Sequence, residues 1–336
     1  MSSINDLIEQ IWNCPYKEFL TYQQDAFNLR INKFGKNLYC YSPSMIYYGI
    51  DQYYKQNRNK FVSISVTGTS CALKCDHCNG KLLESMHSAK ESRELLSIAE
   101  QNKLKGCENL LISGGSTKNG NVPLWDHMDA LKEITEKLKM KIFLHTGLPN
   151  EELINLLSEI KIESVMFDVI GDDETIKEIY HLDKTIADFD HALQLLKTKR
   201  IPFTPHIILG LNYGVLKGEF KALKMIAQSN PNALVLVILK PFEGSRMESV
   251  TPLSIENVSR FFVISRLSLP KTPITLGCAR PIGDYRVGSD LQAIDSGLNG
   301  IAFLSQEAAD YAEDKGLQLH FNDTCCAEIY TRMNNF

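Results

Sequence analysis

The chain contains no apolar run near the ~18–20 residues that a helical membrane span needs, so no span is expected. It also lacks a strong charge of either sign. Its 36 Lys+Arg stand against 40 Asp+Glu, a formal net charge of −4, which argues against a general nucleic-acid or membrane-surface binder. Low-complexity tracts and repeats by sequence identity are absent, and residues 1–25 lack the charged-then-apolar pattern of a secretion signal. The expected location is the cytoplasm. Cysteine, by contrast, is plentiful, with nine at positions 14, 40, 71, 75, 78, 107, 278, 325 and 326. An odd count without a secretion signal argues against a disulfide framework and for metal-bound or catalytic sulfur.

With 336 residues, 44% hydrophobic and 23% charged, the composition is that of a soluble globular protein. That length buries a core without disulfide or metal staples. Short β-rich runs lie at 62–68, 109–113, 141–146, 164–170, 203–211, 233–241, 273–278 and 297–304. They are mostly unalternated, as in parallel strands buried on both faces. Helix-like segments at 91–105, 124–138, 150–160, 188–199, 217–228 and 254–267 separate them. Eight such alternations predict an α/β fold, a (β/α)8 TIM-type barrel or partial barrel. A doubly wound sheet is disfavoured, because no dinucleotide glycine fingerprint follows the first strand. Residues 1–60 read as an N-terminal helical extension packed on the barrel, 61–306 as the barrel, and 307–336 as a C-terminal helix and cysteine-containing tail.

The first strand runs into Thr67-Gly68-Thr69-Ser70-Cys71-Ala72-Leu73-Lys74-Cys75-Asp76-His77-Cys78. Its C-x3-C-x2-C spacing can wrap three thiolates around one compact iron–sulfur cluster and leave one iron open. The place directly after a barrel strand is the C-terminal face, where barrel enzymes keep their chemistry. The alternative is zinc on the three cysteines plus His77 or a remote ligand, with His77 awkwardly placed between two of them. Gly114-Gly115-Ser116 ends the second strand, where glycines permit close backbone approach; the alternative is an ordinary turn. Asp168 is a charge inside the apolar fourth run, so it must be paired or ligand-bound. His145 ends the third strand and His206 lies within the fifth, and each is by itself as compatible with a satisfied core position as with a cavity-facing one.

The cysteine loop resembles that of the radical S-adenosylmethionine (SAM) superfamily, and the resemblance extends from about Phe61 to Gln306. It implies that Cys71, Cys75 and Cys78 hold a [4Fe–4S] cluster whose fourth iron is chelated by S-adenosylmethionine. Reductive cleavage then yields a 5′-deoxyadenosyl radical. His77 stands where the family has an aromatic residue near the adenine. Gly114, Gly115 and Ser116 match the segment that binds the methionine amino group, and Asp168 lies on the strand that contacts the ribose hydroxyls. On this account a side chain at Gly115 weakens cofactor binding and spares folding. The phrases 66–71, 276–281 and 297–302 resemble the biotin synthase-like branch, in particular archaeal-type homologues that act as a two-protein lipoyl synthase.

Cys14 and Cys107 read as small buried hydrophobes. Cys278 ends the seventh strand at the catalytic rim, and Cys325-Cys326 is an adjacent pair in the tail. A tail folded back over the barrel mouth would join them in a second iron–sulfur cluster; the alternative is unpaired thiols in a loose tail. Arg280 suits either a substrate carboxylate or a structural ion pair. The leading expectation is sulfur insertion at unactivated C–H bonds of an octanoyl-lysyl carrier protein, in the manner of a lipoyl synthase. That activity implies a sister radical SAM protein, a lipoyl carrier domain or glycine cleavage H-type protein, and an electron donor such as ferredoxin or flavodoxin. The alternatives are radical rearrangement or cofactor maturation without sulfur transfer, and a non-catalytic metal-binding barrel.

Overall fold

A computed structural model describes residues 4–43 and 46–333. Its strands, in chain order, are β1 (Asn37–Tyr41), β2 (Gly49–Ile50), β3 (Tyr53–Tyr54), β4 (Phe61–Ser65), β5 (His87–Ser88), β6 (Asn109–Ser113), β7 (Lys141–His145), β8 (Ser164–Met166), β9 (His206–Leu209), β10 (Leu234–Ile238), β11 (Ile274–Leu276), β12 (Gly300–Ala302) and β13 (Gln318–Asn322). One parallel sheet runs β5-β4-β6-β7-β8 and another β9-β10-β11-β12-β1-β13. Single parallel bridges, Val165 to Phe203 and Asp168 to His206, join them across the β8–β9 seam. The eight expected strands therefore follow one another around the wall in chain order, the arrangement of a TIM-type partial barrel. Among the described residues no helix is long and apolar enough to cross a membrane.

Each strand divides its side chains between two environments. In β10 all five residues are buried. Leu234, Leu236 and Ile238 pack with the surrounding helices, while Val235 and Val237 join an inner cluster with Tyr41, Phe61, Phe143 and Met166. Burying such a side chain stabilises by about 1.5–3 kcal/mol. Both faces gain it, which is why these runs do not alternate with polar residues. Higher in the barrel, mid-strand positions on the inner row are only half-buried: Ser63, Leu111 and Ile208. The interior there is open, and it forms a chamber.

Two features differ from the sequence reading. Residues 1–60 are not only helical. The helices Ile4–Asn13 and Tyr16–Phe34 do dock on the helix Ile255–Ser268, where Arg260 donates to the Ile11 carbonyl at 2.6 Å and Gln23 to Ser259 at 3.0 Å. But β1 enters the wall itself, with Tyr39 opposite Gly300 of β12 and opposite His320 of β13. Among the described residues β12 does not pair back onto β4, because β1 takes that edge. Its five residues carry no helix–strand period, so pairing with a strand some 260 residues later left no local mark.

The tail does not reach the catalytic rim either. Cys326–Glu328 forms a 3-10 turn at the opposite, N-terminal end of the strands. Lys141 at the start of β7 pairs with Glu328 at 2.9 Å, and the Tyr330 hydroxyl donates to the Glu163 carbonyl just before β8. Cys325, Cys326 and Ile329 complete the inner cluster and close the base. Deleting residues 323–336 should therefore cost about 3 kcal/mol or more, the worth of one or two buried apolar side chains. Iron uptake should stay at the wild-type level. Denaturant titration and iron analysis check this; a drop in bound iron without a stability loss would contradict the plug.

Candidate active site

The loop after β4 turns back on itself through Lys74 (φ 48°), Asn79 (φ 44°) and Gly80 (φ 79°). Non-glycine residues adopt this left-handed conformation at a cost, and it persists where the surroundings hold it. Here several elements do. Ala72 donates its backbone N–H to Ser116 at 2.9 Å and Asp76 donates its own to Ile179 at 2.9 Å. The Asp76 carboxylate, only 4% exposed, accepts from Tyr213 at 2.6 Å and Arg246 at 3.0 Å and lies 2.8 Å from His181 Nε2. Three separate loops thus grip the residue between Cys75 and His77.

The thiols are electrostatically unlike. The hydrogen bond from Cys75 holds Cys78 down, burial opposes it, and His77 adds to the lowering, so Cys78 lies well below the usual thiol range. Cys75 is raised correspondingly by its bond to Cys78 and by burial. Burial pushes His77 down, but the adjacent Cys78 outweighs it and the imidazole is raised. The loop therefore presents a thiolate at neutral pH, the form that binds metal. Among the described residues no three His, Cys, Asp or Glu side chains converge as ligands of one metal ion. Three cysteines on one short loop are a donor set that suits an iron–sulfur cluster with one iron left open.

A cavity of about 460 Å³ lies beside Cys71, lined by Thr67, Ser70, Gly115, Ser116 and Thr117 among others. Gly115 and Ser116 are thus placed next to the cysteine loop. The reason for glycine at 115 differs from the expected one. A Cβ there would stand 2.0 Å from the Ser70 carbonyl oxygen and 2.6 Å from Cys71 Cα. The segment needs glycine because the cysteine loop's own backbone passes over it, and the Gly115 N–H donates to Thr67 Oγ1 at 2.6 Å. At Gly114 a Cβ would meet only the Thr67 and Val122 side chains, at 3.1 Å.

Asp168 does not line that cavity. It faces the chamber with His145, which ends β7, and His206, which begins β9. Tyr180 donates to Asp168 Oδ2 at 3.1 Å and packs its ring 5.1 Å from that of His77. His145 Nε2 is 3.9 Å from Asp168 Oδ1, and the two imidazoles meet edge to face at 5.7 Å. The protein around Asp168 pushes its carboxyl up, but His145 and then His206 outweigh this and hold it at about 2. Burial pushes His206 down to about 4, so it is neutral. The two histidines are therefore chamber residues rather than isolated core ones.

Cys278 is exposed, yet burial and the Cys326 thiol below it push it up to about 11. Its free surface is therefore turned into the chamber. Cys325 and Cys326 are 9% and 4% exposed and lie in the base plug, and they form no metal-ligating group with Cys278 among the described residues. The expected second cluster is not shown. Arg280 is a structural residue: it pairs with Asp290 at 2.8 Å, both fully buried, and donates to the Gly277 carbonyl at 2.7 Å.

Sequence reading missed Asp76 and its three partners, Tyr180, and Glu219. Glu219 accepts from the backbone N–H groups of Gly210 (2.9 Å) and Lys217 (2.6 Å), pinning the turn after β9. It is 6% exposed, and burial raises it from 4.5 to about 7 against those hydrogen bonds. Its folded value lies above the unfolded one. Its contribution is therefore complete below about 4.5 and is lost as pH rises through about 7, on the order of 3 kcal/mol in all. Glu219→Gln should flatten that slope; denaturant unfolding of both proteins across this window measures it, and parallel slopes would refute the assignment.

The radical SAM superfamily model matches residues 65–218. A biotin synthase from Clostridium acetobutylicum is 21% identical over 216 residues, covering 62% of this chain and 64% of that protein. The chain thus spans a little under two thirds of that relative's length. In shape, the structure resembles methylornithine synthase (TM-score 0.65, 13% identity, 98% of this chain and 96% of that one). It also resembles the FeFe-hydrogenase maturase HydG from Carboxydothermus hydrogenoformans (TM-score 0.67, 15% identity, 99% of this chain and 78% of that one). At these identities the likenesses concern the fold.

Proposed function

Because residues 65–218 match the radical SAM superfamily model, we propose that this protein performs radical rearrangement or cofactor-maturation chemistry on a small polar molecule held inside its barrel, without transferring sulfur. Cys71, Cys75 and Cys78 would hold a [4Fe–4S] cluster which, with S-adenosylmethionine, would supply radical chemistry for hydrogen abstraction. One observation carries the reading: the cysteine loop and a half-open chamber walled by His145, Asp168 and His206 share one rim, while Cys278, Cys325 and Cys326 form no metal-ligating group among the described residues.

The chain's own residues have definite tasks. Asp76, gripped by Tyr213, His181 and Arg246, holds the cysteine loop at the rim. Gly115 lets that loop lie against the β6 end. Tyr180 fixes one oxygen of Asp168. The plug at 326–333 keeps bulk water out from below, which matters because reactive intermediates survive only where side reactions are excluded. An electron donor such as ferredoxin or flavodoxin would serve the loop from outside.

The second reading is sulfur insertion into an octanoyl-lysyl carrier protein with a sister enzyme. Cys278, a free thiol facing the chamber, is the observation on its side. Against it, an alkyl chain laid on the ionised Asp168 would desolvate a charge without pairing it, at a cost of several kcal/mol. Anaerobic reconstitution with iron and sulfide counting separates the two. About four irons are expected, together with 5′-deoxyadenosine formation under dithionite. About eight irons, falling to about four when Cys325 and Cys326 are both replaced by alanine, would restore sulfur insertion.

A further inference from the structure

We infer that the chamber wall formed by Asp168 and His206 is the recognition site for a primary ammonium group of the substrate, carried on a short apolar stem. This deepens the proposed function and rests on it. The two residues are bridge partners across the β8–β9 seam, so their side chains stand side by side.

Each presents an acceptor without a close donor. His206 Nδ1 is 3.0 Å from the Thr204 carbonyl oxygen. A carbonyl only accepts, so Nδ1 carries the proton and Nε2 offers a lone pair. Asp168 Oδ2 is taken by Tyr180, while Oδ1 makes a longer ion-pair contact with His145 Nε2, at 3.9 Å, and keeps room for a closer donor. An ionised carboxylate that is only partly solvated gains when its free oxygen finds a donor. Two neighbouring vacant acceptors, one of them anionic, suit a group with several N–H donors and a positive charge. Arg280, the cation nearest Cys278 in sequence, is spent on Asp290, so it is not available to a carboxylate. Below the polar pair, the inner-row side chains Leu111, Ile208 and Val237 are apolar, and the plug closes the base. The stem must therefore be short.

His206 stays neutral when the pH falls to values that would protonate an exposed imidazole. It keeps its lone pair, and an approaching ammonium meets no repulsion from it. His145 flanks both groups, 3.9 Å from Asp168 Oδ1 and with its ring 5.7 Å from that of His206.

The test uses anaerobically reconstituted protein and three isosteric probes: butylammonium, 1-butanol and butyrate, titrated by calorimetry at matched ionic strength. Small fragments bind weakly, so the titrations run to high-millimolar concentration. Butylammonium should bind at least tenfold more tightly than either other probe. Asp168→Asn should lose that preference and leave S-adenosylmethionine affinity within twofold of wild type. If butylammonium binds no better than 1-butanol, the inference is wrong, whatever any variant does. If Asp168→Asn weakens S-adenosylmethionine binding as much as butylammonium binding, Asp168 serves the ribose and the inference is likewise overturned. Either failure leaves the radical reading standing. That reading falls separately, if the reconstituted wild type makes no 5′-deoxyadenosine under dithionite.

Discussion

Replacing Cys71, Cys75 and Cys78 together by alanine is expected to leave a folded barrel that takes up no iron and forms no 5′-deoxyadenosine under dithionite. The fall in activity should be to background. Only these three cysteines share one loop, and the described residues contain no other thiol beside the cavity that Gly115 and Ser116 line. The Asp76 grip, with its partners at 2.6–3.0 Å, does not involve the thiols and should keep the loop in place. Circular dichroism should therefore match wild type. Cys325→Ala with Cys326→Ala is the control: both thiols lie in the base plug, so iron should be retained at some loss of stability. A triple variant that still cleaves S-adenosylmethionine would end the assignment.

The second large effect is expected at Gly115. Valine there places a Cβ 2.0 Å from the Ser70 carbonyl and 2.6 Å from Cys71 Cα. Both are backbone atoms that no rotamer change can clear. The loop carrying the first cysteine must move, or the end of β6 must. Forced overpacking costs about 1–3 kcal/mol even where side chains can adjust, and more is expected here. Gly115→Val should therefore lower the melting temperature and cut iron uptake at least tenfold. Gly114→Ala, whose Cβ meets only mobile side-chain atoms at 3.1 Å, should do neither strongly. If Gly115→Val loaded iron normally and lost only S-adenosylmethionine affinity, glycine at 115 would serve the ligand's approach, and the packing account would fail.

These expectations rest on different kinds of signal. The eight strand runs and six helices were legible because their periods are local: a run such as 234–238 is buried on both faces and shows it in five consecutive residues. The short helix Asp173–Glu178 and the helix Asp284–Asp295 were not recognised. In the second, polar residues and a glycine dilute the apolar stripe. The cysteine loop was legible for the same reason, since three ligands of one cluster lie within eight residues. Gly115 was singled out correctly as a special position, but its reason lies in a chain segment some 45 residues earlier, which no local pattern reveals.

Fold class, the C-x3-C-x2-C cysteine loop and its rim position followed from spacing along the chain alone. The joining of distant pieces needed the folded molecule. Asp76 meets its partners 105, 137 and 170 residues away. β1 enters between two strands from the far end of the chain. The tail thiols, which in sequence looked free to reach Cys278, are drawn to the other end of the barrel by Glu328 pairing with Lys141 and by burial against Phe143 and Met166. His145, Asp168 and His206 each had an ordinary alternative when taken singly; parallel strand register brings them onto one wall. The physical cause is the same throughout. Periodicity and ligand spacing are short-range properties written residue by residue, whereas burial and charge pairing are settled only when the barrel closes and fixes which distant groups share a low-dielectric interior.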